Sequence, residues 1–433
     1  MTPGARAEVW QGGEWQPSTP LLTAAICLGL VSYVALGVVV VSPYVTRLDS
    51  DFLNYFKAAK ALTDGRSPFS APGFDYPPAL ALVVVPLVPL GMQAARWVWF
   101  VLSHACLLGA AALLWRRLGG DRVALLAVAL VWGLGGTIAE NLALGQVNPL
   151  LLLLVVVSLG TGSSPVGRSL AIGGASALKL WPGILITRDA ILGSPRRSLQ
   201  ALLVTLGFVL IPLLTIAAVW PSPSTPPHAT YWMGTPALKN FSFPATALRV
   251  LDPPRSGRPL PAAWIKGNDP AWLVLRPGNQ VVSIGVATVG LAVGLAAVVA
   301  VVRRRGADRI DPLRLTGALL ALVLAWAPLC WYHYRLLHFV GAAAVCAAAF
   351  RTRRWALAGL ALSCLVVATW AAFAIDRLYL VPHGWTAASP VALWLLTSVV
   401  PVSDLALGWT CLVDKPAGNV GATRAVADAR TPA

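Results

Sequence analysis

Long apolar runs separated by short polar segments dominate this chain of 433 residues. Several runs approach the roughly 20 residues that an α-helix needs to cross a bilayer. The pattern predicts an all-α, polytopic membrane protein with about twelve transmembrane helices, of which the shorter ones must tilt, kink or insert only partly. The predicted passes are 21–41, 77–91, 94–114, 123–139, 147–160, 169–187, 200–220, 281–302, 313–331, 336–350, 355–375 and 390–412.

The polar segments divide the chain into three predicted parts. Residues 1–20 form a cytoplasmic N-terminal segment, residues 21–413 a transmembrane domain, and residues 414–433 a disordered C-terminal tail. Two long loops, 42–76 and 221–280, interrupt the domain. The first apolar run is long for the core of a cleavable signal, so we expect it to remain as an anchor.

The polar segment after the first run has a helical pattern of its own. Its apolar side chains recur at the spacing of one helix face, at Phe52, Tyr55, Phe56, Ala59 and Leu62. The pattern predicts an amphipathic helix lying in the membrane–water interface with this face towards lipid. Asp49, Ser50 and Asp51 stand at its N-terminal end, where capping residues are favoured and the helix dipole favours an ionised carboxylate. The residues alone leave open whether either acid is only a cap or also a base.

Composition supports a membrane protein and excludes an ordinary soluble domain. The chain is 57% hydrophobic and 12% charged, with a mean hydropathy of +0.71. The net charge of +16 is spread over short loops, which is typical of helix orientation by positive loops rather than of nucleic-acid binding. The six cysteines lie in or beside apolar runs without metal-like spacing, so we expect them to be packing residues.

Basic loops also predict an orientation. The clusters at 188–197, 303–314 and 351–354 fall on one side of the predicted passes, which assigns that side and both termini to the cytoplasm. Loop 115–122 is basic too but falls on the other side under this count. Either a short run such as 77–91 does not cross, or this loop is an exception. Both long loops then face the outside.

Five phrases along the chain resemble those of one enzyme family in their order. They are "SDFLNYFKAAKALTDGRSPF", "ENLALGQVNPLLLLL", "ALKLWPGIL", "NFSFPATALRVL" and "APLCWYHYRLLHF". They resemble the polyprenyl-phosphate-mannose-dependent mannosyltransferases of glycosyltransferase family 87. The last phrase departs from the family pattern, because Tyr334 replaces a second histidine and Ala327 a serine.

The resemblance implies a GT-C fold and a transferase that uses a lipid-phosphate sugar with inversion of configuration. It favours Asp51 as the general base, with Asp49 as the alternative. It also implies that these residues bind substrate: Tyr55, Lys179, Asn240, Ser242, Arg249, His333, Arg335 and His338.

Structural interpretations compete with several of these roles. Within the sixth predicted pass, the residues favour snorkelling of Lys179 to the cytoplasmic interface, and snorkelling would explain Arg335 equally well. An interfacial polar cluster would explain His333, and ordinary loop charge would explain Arg249. The predicted passes favour a cytoplasmic turn, away from the site, for four polar residues: Glu140, Asn141, Gln146 and Asn148.

The expected partners are a lipid-linked sugar donor, a glycolipid or cell-envelope glycan acceptor and membrane lipids, with no nucleic acid, no cofactor and no metal. The expected location is a bacterial plasma membrane, with the active site on the outer, periplasmic face. A lipid or sugar transporter or flippase is the alternative from another class. A transferase that uses a different polyprenyl-phosphate sugar, such as a pentose, is the alternative within the same fold.

Overall fold

The computed structural model describes residues 15–45, 50–160, 164–220, 240, 242–251, 277–327, 330–371 and 390–413. In these residues the chain is helical, and the only extended pairing is an isolated bridge between Asn240 and Trp331. The all-α prediction is therefore confirmed for the described residues. Five helices are long and apolar enough to cross a membrane, or six if the bent pair of Arg122–Leu134 and Thr137–Leu144 counts as one span.

The helices are α1 Thr19–Ser32, α2 Ser42–Val45, α3 Asp51–Thr63, α4 Pro78–Val84, α5 Gly91–Arg117, α6 Arg122–Leu134, α7 Thr137–Leu144, α8 Asn148–Ser158, α9 Pro165–Leu178, α10 Ile186–Ile191, α11 Pro195–Val219, α12 Phe243–Leu251, α13 Pro277–Arg305, α14 Pro312–Trp326, α15 His338–Arg351, α16 Trp355–Val366 and α17 Pro390–Val413. Short 3₁₀ helices at Val85–Leu90, Trp181–Leu185 and Tyr332–Leu337 join some of them. Two π-helical segments, Tyr33–Val40 and Val367–Ala371, extend α1 and α16.

The structure differs from the prediction at three passes. Runs 77–91 and 94–114 belong to one candidate span of 40 residues, Pro78–Arg117. The predicted pass 169–187 instead breaks in two, because α9 ends at Leu178 and Lys179 is extended, with φ −149° and ψ 132°. Pro182 then lies in the 3₁₀ turn that leads into α10. Hydropathy alone hides both features, since it reports apolar length and not where a helix bends or ends.

One end of the bundle gathers the basic loops. Arg351 donates to the carbonyl of Leu118 and, at 2.8 Å, to a carboxylate oxygen of Asp121. Loop 115–122 therefore lies beside loop 351–354. Arg188 bonds the carbonyl of Ser158 at 3.3 Å, and Arg122 bonds Thr19 at 2.7 Å. We call the end of the bundle that holds Arg122, Arg188 and Arg351 the basic end. If runs 77–91 and 94–114 are one span, loop 115–122 falls on the same side as the other basic loops.

Helix α14 forms the centre of the bundle, and its residues from Leu313 to Ala325 are all buried. It crosses α15 at Gly317 and Gly341, where a Cβ on Gly317 would lie 2.4 Å from the Cα of Gly341. Small residues permit such close helix packing within a membrane. By contrast, α11 and α13 expose large apolar side chains, such as Ile211 at 66% and Val289 at 63%. Those two helices therefore lie at the edge of the bundle, where lipid would cover them.

Candidate functional site

Four segments far apart in sequence meet at the end of the bundle opposite the basic end. They are the start of α3, the junction of α7 and α8, the break after α9, and the 3₁₀ turn at Tyr332–Leu337. Helix α8 connects the two ends: Asn148 at its start belongs to the site, and Ser158 at its last turn contacts Arg188.

Asp51 lies in the first turn of α3 and its carboxylate contacts the junction of α7 and α8. Ser50 occupies the N-cap position but its side chain makes no capping hydrogen bond. The Asp51 carboxylate instead accepts a hydrogen bond from the amide nitrogen of Gln146. The helix dipole at this position favours a negative charge. Asp49, the alternative base, falls outside the described residues.

The apolar stripe of α3 is covered by protein rather than by lipid. Phe52, Tyr55, Phe56 and Ala59 are buried, and the Phe52 ring lies 5.4 Å from that of Trp99. The expected contact of this face with lipid is therefore wrong. The helix itself is where the periodicity predicted it, and burying the stripe against α5 fixes Asp51 relative to the bundle.

The side-chain amide of Gln146 joins three predicted site residues. Its nitrogen donates to Asp51, and its oxygen accepts hydrogen bonds from the Tyr55 hydroxyl at 3.3 Å and the Lys179 ammonium at 3.1 Å. Burial, reinforced by the charge of Asp51, raises the pKa of Tyr55 well above its usual value, so the phenol stays neutral and donates. Gln146 thus bridges a carboxylate and a buried cation.

Lys179 is enclosed by the site and does not snorkel to a membrane surface. It is only 4% exposed, and its ammonium also donates to Asn148 at 2.9 Å. The same nitrogen lies 3.8 Å from the centre of the Tyr334 ring, which suits a cation–π contact. The break after α9 turns Lys179 inwards, which a continuous predicted pass could not reveal.

The prediction that 140–148 is a turn away from the site is also wrong. Asn148 donates to the side-chain oxygen of Asn141 at 2.7 Å, and Asn141 donates to the carbonyl of His333 at 2.9 Å. These asparagines connect the Gln146 segment to the turn that carries His333. The separate predicted passes 77–91 and 94–114 had placed this segment away from the site, whereas the structure has one candidate span there.

Arg335 and His338 share one buried acid that the sequence analysis missed. Asp404 of α17 pairs with Arg335 through two hydrogen bonds of 2.9 and 2.6 Å, and with the Nε2 of His338 at 2.7 Å. The three side chains are fully enclosed, so snorkelling of Arg335 is wrong as well. A lone acid within an apolar helix was the signal that could have identified Asp404.

Asn240 and Ser242 meet the same turn from the long loop. The Asn240 side-chain oxygen accepts hydrogen bonds from the Cys330 backbone at 2.8 Å and from Ser242 at 3.2 Å. Both residues are fully buried. They therefore anchor the start of α12 beside Trp331. Arg249 lies in α12, but its side chain falls outside the described part of the structure.

Two comparisons with known proteins agree with the motifs. The family model of glycosyltransferase family 87 matches residues 74–330, more than half of the chain. A relative from Mycobacterium tuberculosis, "Polyprenol-phosphate-mannose-dependent alpha-(1-2)-phosphatidylinositol mannoside mannosyltransferase", is 30% identical over 229 residues. That alignment covers 46% of this chain and 50% of the relative. The chain thus matches about half the length of that protein.

Proposed function

Because the chain belongs to glycosyltransferase family 87 and is a membrane glycosyltransferase, we propose that it transfers mannose from a polyprenyl-phosphate donor to a glycolipid acceptor. The name of the mycobacterial relative supports this donor and this class of acceptor. A lipid-phosphate sugar carries its own leaving group. The protein must therefore activate an acceptor hydroxyl and balance the charge of the departing phosphate.

The observation that carries the proposal is the shared amide of Gln146, with the Asp51 carboxylate on one side and the Lys179 ammonium on the other. A base and a cation held by one group suit a reaction in which one substrate loses a proton while the other gains negative charge. Holding both in place also reduces the entropy lost when the reacting groups are aligned.

In the proposed reaction Asp51 accepts the proton of the acceptor hydroxyl, and the acceptor oxygen forms a bond to the anomeric carbon. The bond from that carbon to the phosphate oxygen breaks, and its electron pair leaves with the polyprenyl phosphate. Lys179 stabilises the negative charge that develops there. A single displacement inverts the anomeric carbon, so a β-linked donor gives an α-linked product.

The other predicted residues divide into two proposed groups. Tyr55 and His333 remain proposed substrate contacts, and Arg249 remains a proposed contact to a phosphate or headgroup. Arg335 and His338 instead serve to fix the 332–337 turn, because Asp404 already engages both. Asn240 and Ser242 fix the same turn from its other side.

The proposed orientation puts the basic end in the cytoplasm. Arg122, Arg188, Arg305 and Arg351 lie at or next to this end, as the positive-inside rule requires. The site at the other end then faces the outer side of the membrane, and the N-terminal start of α1 and the C-terminal end of α17 face the cytoplasm.

The test uses the purified protein with radiolabelled polyprenyl-phosphate mannose and a glycolipid extract of membranes. We expect a larger labelled glycolipid, and loss of that product in Asp51→Asn at normal expression. Asp64→Asn is the matched control, because this acid lies on an exposed surface at the other end of α3. Full activity of Asp51→Asn would end the base assignment. If the protein forms product from a polyprenyl-phosphate pentose but not from polyprenyl-phosphate mannose, the donor sugar is a pentose.

A further inference from the structure

Helix α5 carries a buried arginine inside a candidate membrane span. Arg96 lies inside the candidate span Pro78–Arg117 and is only 1% exposed. Its Nη2 donates to the carbonyls of Leu142 and Ala143, both at 2.8 Å. Charged side chains within membrane spans usually serve a function, so this contact calls for an explanation.

Trp99 contacts the same segment from one turn further along α5. Its indole nitrogen donates to the carbonyl of Gly145 at 2.9 Å. The last carbonyls of a helix lack partners within it, and a cation there is favoured by the helix dipole. Arg96 and Trp99 together therefore satisfy three carbonyls at the C-terminal end of α7.

Gly145 makes this ending specific. Its φ of +66° is in the left-handed region, and a Cβ here would lie 2.8 Å from the Cβ of Phe52 and 2.9 Å from the guanidinium carbon of Arg96. The next amide, that of Gln146, bonds back to the carbonyl of Asn141 at 2.8 Å, which closes the helix end. The contacts of Arg96 and Trp99 from α5 thus fix the backbone that leads into Gln146.

We propose that Arg96 and Trp99 are positioning residues for sugar transfer: they fix the end of α7 so that Gln146 aims the Asp51 carboxylate at the acceptor. This inference rests on the proposed function for its activity readout. Neither side chain contacts Asp51 or Lys179 among the described hydrogen bonds. Both side chains also pack against Phe52, the neighbour of Asp51 in α3. Their hydrogen bonds to the end of α7 act through Gln146, which bonds both Asp51 and Lys179.

The first test combines Trp99→Phe with Gln146→Ala. Trp99→Phe keeps an aromatic ring against Phe52 and removes one hydrogen bond, so we expect kcat to fall about five- to tenfold, with KM for polyprenyl-phosphate mannose within about twofold. In the Gln146→Ala background the same change should have almost no further effect, because residues that act through one group are not additive. Trp97→Phe, on an exposed side chain of the same helix, is the matched control.

The second test does not require activity. Hydrogen–deuterium exchange of a peptide covering 140–147 should speed up in Trp99→Phe and in Arg96→Met, and stay unchanged in Trp97→Phe. Unchanged exchange in Trp99→Phe would overturn the proposal whether or not the wild type transfers mannose. The proposal would also be overturned if Trp99→Phe lowered kcat by the same factor in the wild type and in the Gln146→Ala variant. If the wild-type protein transfers no mannose but exchange still speeds up in Trp99→Phe, the proposed donor is wrong and the positioning role of Arg96 and Trp99 stands.

Discussion

Removing the charge of Asp404 should destabilise the whole bundle through Arg335. Asp404→Asn leaves the Arg335 guanidinium enclosed by the fold with one acceptor, the amide oxygen, in place of the two carboxylate oxygens that accept its hydrogen bonds in the wild type. Breaking a buried ion pair from one side costs about 3–5 kcal/mol, because the remaining charge stays desolvated. Total stabilities of proteins are only about 5–15 kcal/mol, so this is a large fraction. We expect a thermal midpoint lower by on the order of 5 °C.

The buried cysteines provide the assay. Four free thiols are buried, those of Cys330, Cys346, Cys364 and Cys411. The exposed thiol of Cys27 gives the baseline labelling of the folded protein. A thiol-reactive fluorophore in detergent then reports unfolding as temperature rises. The double variant Asp404→Asn with Arg335→Met should recover most of the loss, since it removes the unpaired charge. A midpoint for Asp404→Asn within 1 °C or so of wild type would refute the reasoning, and so would a double variant as unstable as the sum of its parts.

Three further predictions concern the site and its surroundings. Lys179→Gln should lower kcat by about 10²-fold or more, because the departing phosphate loses its cation. Lys57→Gln, on the exposed face of α3, should leave kcat unchanged. Equal kcat values for the two variants would remove Lys179 from the mechanism. Gly145→Ala should lower the thermal midpoint clearly more than Gly65→Ala, since both glycines have positive φ but only Gly145 is crowded. Hydrogen bonds from Lys60 and then Arg66 hold the pKa of Asp64 below its usual value, so this acid adds a small stability above about pH 4 that is lost as pH falls through its lowered pKa; Asp64→Asn should therefore lose less stability than wild type between about pH 5 and pH 3.

The sequence predicted the class of the fold and several of the residues that the structure brings together, for physical reasons that can be stated. Helical periodicity predicted α3, and the family resemblance picked out Asp51 and Lys179. The resemblance did not predict that Gln146 joins them, because hydropathy predicted two passes where α4 and α5 form one candidate span, and that count separated Gln146 from the site. Counting apolar residues cannot distinguish two short passes from one bent pass.

The role of Asp404 was not predicted for a different reason. Its helix shows one acid among apolar residues, and nothing local indicates a partner 69 residues earlier in the chain. The break at Lys179 was missed because a helix that ends inside an apolar run keeps the hydropathy of a continuous one. Both features depend on contacts between distant segments, which periodicity does not encode.

The Arg335–Asp404 pair also imposes an order on synthesis. Translation at about 5–20 residues per second makes Arg335 several seconds before Asp404, which is 69 residues later. During that interval the cation has no carboxylate from α17. Insertion of α17 is then the step that completes the pairing, and a ribosome that stops before Asp404 releases a chain whose Arg335 lacks its acid.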